Sequence, residues 1–195
     1  MANEKQNRLS DNGIASCGSV HLEAAPRVIV RGKWQDKIIY ENGTVVISDW
    51  TPNQVQNTNA TLLASLMKIE AGITGIQYIA VGAGLAAWDA VPPAQPYTQT
   101  TLTTEYFRKA IAPAEITFRD ALGNLSLPPT NIIQIDVTLL PAEANGTQRE
   151  FGIFGGNATA AADSGYMVNW LVHGRIDKDA TMTIQRSVRF TFEIV

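Results

Sequence analysis

The 195-residue chain is 45% hydrophobic but only 17% charged, against about 25% charged residues in an average soluble domain, so it can build one sizeable core under a surface poor in charge. A formal charge of −3 and a pI near 5.4 leave no basic excess for neutralising phosphates, which argues against a nucleic-acid partner. Cys17 is the only cysteine, which excludes an intrachain disulfide and fits a reducing compartment.

Residues 1–26 are polar and small, lack sustained period-2 or period-3.6 patterning and end at Pro26. They read as an N-terminal arm, either a frayed terminus or a segment that docks on a neighbour. They contain no apolar core of a signal peptide, and no apolar run in the chain approaches the length of a membrane span, so the expectation is a cytosolic protein without a span. Over 27–50 three β-branched runs are separated at Gln35-Asp36 and at Asn42-Gly43, which predicts two linked hairpins. Pro52 breaks the pattern. A helix is then expected over about 59–71, capped by Asn57 or Thr58, with Leu62, Leu63, Leu66, Met67 and Ile69 at helical spacing.

A buried strand follows over 75–81, and Gly82-Ala83-Gly84 ends it. Residues 84–101 carry Pro92, Pro93 and Pro96 and read as an exposed loop. The stretch 102–111 fits a short helix or a strand equally well. Strands are expected over 115–119, 132–140, 149–154 and 167–173. The last strand is the plainest element, with Met182, Ile184, Val188, Phe190, Phe192 and Ile194 on one face, interrupted only by Arg186. Many short strands and one helix predict a mainly β protein, an antiparallel β-sandwich, with a single domain over 27–195 behind the arm.

Candidate chemistry is sparse. Gly82-Ala83-Gly84 lacks the third glycine of a dinucleotide loop and the Gly-Lys-Ser/Thr of a P-loop, and no helix follows it. His21 and His173 are the only histidines; the first lies in the arm and the second ends an apolar strand. Asp177-Lys178-Asp179 reads as the polar turn before the last strand, not as a calcium loop. The expectation is no enzyme, no cofactor and no metal. Two groups of residues stand out. Trp88, Pro92, Pro93 and Tyr97 are candidate interface contacts, because prolines restrict a loop in advance and a loop tryptophan is a ready anchor. Arg186 requires acceptors if buried, with Glu150 and Glu105 as the candidate partners; a β-bulge or a strand end that turns its head to water is the alternative. Trp88, with Tyr97 or Tyr106, would equally suit a sugar platform.

The order of features carries more than any one motif. A hairpin region leads into WTPNQVQNTNATLLASLM, then GIQYIAVGAG, then a Pro/Thr-rich loop ending in Leu102-Thr103-Thr104-Glu105 with Arg108 after it, then Arg149-Glu150-Phe151-Gly152-Ile153-Phe154-Gly155-Gly156 and the amphipathic last strand. Over about residues 30–195 this succession resembles a broad group of tailed-bacteriophage virion proteins found among tail, baseplate and fibre-attachment components. The resemblance implies a β-sandwich that packs as a homo-oligomer with other virion proteins in a symmetric particle after synthesis in the host cytoplasm. That group offers no common catalytic residues. The second class of function is a carbohydrate-binding sandwich that recognises a host surface.

Overall fold

The computed structural model describes residues 27–195. Expectations for the arm, Cys17 and His21 lie outside them. The chain is mainly β. It runs β1 (Val28–Tyr40), β2 (Val45–Ile47), β3 (Thr51–Val55), α1 (Asn57–Met67), β4 (Thr74–Gly82), β5 (Glu105–Ala110), β6 (Ile116–Arg119), β7 (Leu125–Ser126), β8 (Ile132–Leu139), β9 (Gly146–Gly156), β10 (Tyr166–Lys178) and β11 (Met182–Ile194). All pairings are antiparallel, in the order β5-β4-β9-β10-β3-β1-β11-β8-β6-β7, with β2 on the side of β1. Short β3 links two halves, pairing β1 through Thr51 to Asn53 and β10 through Gln54 and Val55.

The halves face each other. Trp34 and Ile135 from one and Ile79, Phe151 and Ile153 from the other share one buried cluster, with the Trp34 and Phe151 rings edge to face at 5.5 Å. This is the two-layer packing that alternating strands require. The layer β4–β9–β10 differs, because its strands are apolar on both faces. Its outer face buries Ala80, Phe154, Met167 and Trp170 under Leu102, which comes from the 84–104 segment, and Ala158. Strands buried on both sides lose the alternating pattern, which is why 78–81 and 151–156 read as apolar runs without alternation.

Several boundaries depart from expectation. Gln35-Asp36 is no turn: β1 is continuous across it and pairs with β11 from Val28↔Ile194 to Tyr40↔Met182. The Asn42-Gly43 reversal does form, with Gly43 at φ +83°. The ambiguous 102–111 stretch holds strand β5. The helix is earlier and shorter than 59–71. Gln56 precedes it without a side-chain cap, and it stops because Ile69 takes the left-handed conformation at φ +57° while Glu70 N–H reaches back to the Ser65 carbonyl at 2.9 Å. Asp177 and Lys178 belong to β10. Lys178 is buried and donates to the Leu140 carbonyl at 2.8 Å and to Asn145 Oδ1 at 2.9 Å, so it holds the 140–145 loop.

Candidate functional site

The two acids proposed for Arg186 do not bind it. Register places Asp36 directly across from Arg186, and the carboxylate accepts from Nε at 2.8 Å and from Nη2 at 2.6 Å, with both side chains enclosed. The guanidinium lies over the Phe151 ring at 4.2 Å. Glu105 instead pairs with Arg108, which reaches on to the Ser164 carbonyl at 2.9 Å and pins the 157–165 loop. Glu150 faces the outer side of β9, away from the interlayer core. A bulge or exposed position for Arg186 is likewise overturned, since it is 0% exposed.

Glu150 is the key to the loop that covers that outer face. Its carboxylate accepts from Thr103 N–H at 3.1 Å, Thr104 N–H at 2.9 Å and Trp170 Nε1–H at 2.8 Å. A carboxylate so buried requires such donors. Space for it comes from Gly82, where any Cβ would lie 2.5 Å from Glu150 Oε1. The next residue back holds the loop's start. Arg149 donates to the Ala83 carbonyl at 3.0 Å and to Asp89 through Nε at 2.6 Å and Nη2 at 2.8 Å. Those bonds hold the Asp89 carboxyl below its ordinary range. Gln95 Oε1 accepts from Val172 N–H at 3.0 Å, and the Tyr97 carbonyl accepts from Asn57 N–H at 2.8 Å. The 84–104 segment is therefore fastened at four places along its length.

Trp88 sits in this segment, in a one-turn 3₁₀ helix over Ala86–Asp89. The expectation of a loop exposed throughout is overturned at Trp88: the indole is half-buried and meets Trp170 edge on at 6.3 Å between centroids. It closes its own domain's outer cluster, because that apolar sheet face requires a cover. Leu85, Val91 and Tyr97 point outward instead, with Val91 74% exposed.

Trp88, Asp89 and Pro92 form one wall of a surface depression of about 370 Å³; Val172, His173, Gly174 and Arg175 form the other. A bulge shapes this wall. Between the pairs Val172↔Glu150 and Ile176↔Gln148, three residues of β10 oppose Arg149 alone. The extra length turns Arg175 toward Asp89, at 3.7 Å, and His173 inward against Trp34, at 5.6 Å between ring centroids. Burial, reinforced by Arg186, pushes the His173 pKa down to about 4. Its Nε2 is enclosed without a partner, so the ring is neutral near pH 7 and adds no charge to the depression.

Of the loop candidates, Trp88 and Pro92 share this depression. Pro93 does not line it, and Tyr97 lies by the start of α1. Sequence reasoning missed Asp36, Asp89, Gln95 and Arg149. Asp36 had a signal, because it alternates with Trp34 and Ile38; the contacts of Gln95 and Asp89 depend on the loop path, which leaves no periodic trace. Among the described residues no three His, Cys, Asp or Glu side chains gather as a metal set, and no helix is long and apolar enough to cross a membrane. Comparison of the chain with known proteins finds no matching family model, no matching curated protein and no matching solved structure.

Proposed function

We propose that this chain is a structural subunit of a tailed-bacteriophage virion, placed in the tail or baseplate region or at a fibre attachment, and that it acts through protein–protein contacts and not through catalysis. The observation that carries the reading is the fastened 84–104 segment. It holds Leu85, Val91 and Tyr97 outward at 51%, 74% and 60% exposure on a loop already ordered by Glu150, Arg149 and Gln95. A contact made by such a loop avoids most of the ordering cost of binding. The charge-poor composition and the order of sequence features support the same reading. So do further exposed apolar side chains, including Val45, Val46 and Ile47 along β2 and Leu122, Leu125 and Leu127 around the β6–β7 hairpin.

The test is structure determination of the particle that contains the chain, with Val91→Asp introduced at the loop. Burial of Val91 against another subunit, and loss of incorporation in the variant, are expected. A particle in which the loop faces solvent, or in which the variant incorporates normally, overturns the interface. A second reading, host-glycan binding, is favoured by one observation: the depression sets the Trp88 indole beside Asp89 and Arg175, an apolar plane next to planar polar groups. Binding of the isolated protein on a glycan array, abolished by Arg175→Ala, would support it.

A further inference from the structure

Beside β3 and α1, the start of β1, Val28–Arg31, has an edge that no strand among the described residues covers. Arg27 and Val195 exchange both backbone hydrogen bonds, at 2.7 and 2.9 Å. Because bonding direction alternates along an antiparallel strand, the odd-numbered residues of β1 face β11 and the even-numbered ones face away. The rest of β1 obeys this: Asp36 accepts from Ser48 N–H, and Tyr40 N–H donates to Thr44, on the side away from β11. Gly32 to Trp34 meet β3 there. The N–H and C=O of Val28 and Val30 point to that same side, and among the described residues no strand pairs with them.

Next to this edge runs an apolar groove of about 470 Å³, lined by Val28, Val30, Val55, Ala60, Leu63 and Met67. Through Val30 and Val55 it continues into the cleft where β1 and β3 diverge. Val28 and Met67 are 70% and 87% exposed. An unpaired edge beside an apolar channel is the form of a strand acceptor: backbone groups supply affinity and pockets receive alternate side chains.

We infer that this edge accepts residues 20–24 of a neighbouring copy of the chain as an added β-strand. This rests on the assembly reading above and deepens it by naming a partner. The segment leads directly into the edge, and in Val20-His21-Leu22-Glu23-Ala24 the apolar Val20, Leu22 and Ala24 alternate with the polar His21 and Glu23. Five alternating residues are too few to form a stable element alone, yet they match an acceptor that is apolar on one side.

The connection decides that the donor is a neighbour. Arg27 is fixed in extended pairing with Val195, so a reversal onto the same chain's Val28 would have to be made within Ala24-Ala25-Pro26. That tripeptide has no Gly, Asn or Asp to supply a positive φ, and Ala25 is driven toward extended backbone by the proline after it. A segment donated by a neighbour meets no such constraint. At roughly 3.3 Å per residue, a six-residue connection spans at most about 20 Å, enough to reach an abutting copy.

The experiment uses the full-length chain. Its mass in solution is measured by light scattering, and amide exchange is followed at Val28 and Val30, with Ile29 and Arg31 as controls, for the unsubstituted chain and for Val20→Asp/Leu22→Asp. The unsubstituted chain should be oligomeric with Val28 and Val30 protected; the variant should be monomeric, with exchange at these two amides at least tenfold faster and the controls unchanged. In a Cys17→Ser background, mixing Leu22→Cys chains with Val28→Cys chains and a short thiol cross-linker should join unlike chains. Three results would overturn the inference: an oligomer that survives in the variant, which leaves the assembly reading intact on another surface; a cross-link formed within single chains carrying both cysteines but not between chains; or exchange at Val28 and Val30 that is fast in the unsubstituted chain.

Discussion

Between its layers the fold encloses Arg186, and on the outer face of β9 it encloses Glu150; the two buried charges are satisfied by different means. Arg186 meets an opposite charge, Asp36, fixed across a strand pair by the register of β1 and β11. Glu150 meets only neutral donors, two loop N–H groups and an indole N–H. The inner pair ties strand to strand within the core, and the outer acceptor ties a loop to a strand. Loss at the first site should unsettle the whole fold, whereas loss at the second should mainly release the cover.

The sharpest way to break this comparison is to strand the inner charge. Asp36→Ala leaves Arg186 buried without a carboxylate and should cost about 3–5 kcal/mol in urea unfolding, whereas Asp36→Leu/Arg186→Met should recover most of that loss because no charge remains to be solvated. A double variant as unstable as the single one would mean that packing, and not charge, dominates the site.

The pH dependence of stability probes the same region. The His173 pKa is lowered from 6.5 to about 4 by burial and by Arg186, so the folded chain resists a proton that the unfolded chain accepts. As pH falls from about 6.5 to 4, protons bind preferentially to the unfolded chain and stability drops, by roughly 3 kcal/mol over the full window, with no contribution above it. His173→Phe should remove this part of the slope. If the slope between pH 6.5 and 4 is the same in the variant, the histidine is not the group responsible.

A smaller effect is expected outside. Glu150→Gln keeps the shape but sets an amide donor against N–H donors, and should cost about 2 kcal/mol, the range for hydrogen bonds to a charged group. Its signature is local: limited proteolysis should speed up within residues 84–104 while the Asp36–Arg186 region keeps its amide protection. Equal loosening of both regions would remove the distinction between core pair and loop fastening.

How far these sites were legible follows from the kind of contact that makes them. The faces of β11 were readable because strict alternation survives in a strand buried on one side, and Arg186 declared itself as a charge on an apolar face. Its partner was hidden by a wrong break at Gln35-Asp36: once β1 is continuous, Asp36 is the matching charge on the matching face. Glu150 was visible as an acid within an apolar run, but its donors were not, since Thr103 and Thr104 act through their backbone N–H groups, which every non-proline residue has. The inward packing of Trp88 was likewise hidden, because the outer face of β4, β9 and β10 is apolar on account of a cover that lies 50 or more residues away in sequence from much of it.

The smallest predicted effect has the opposite sign and lies at neither charge. Ile69 ends α1 at φ +57°, a conformation that crowds a β-branched side chain and that helices normally give to glycine. The side chain is 89% exposed, so little packing is lost when it is removed. Ile69→Gly should therefore stabilise the chain by up to about 1 kcal/mol, less whatever entropy the unfolded chain regains from the glycine. In a domain of this size that is roughly 2–4 °C in melting temperature. Because the strain is local and independent of both charges, its effect should add to that of Asp36→Ala and to that of Glu150→Gln within about 0.5 kcal/mol. Destabilisation by Ile69→Gly, or strong coupling to either acid, would show that the exposed isoleucine is held by contacts of its own.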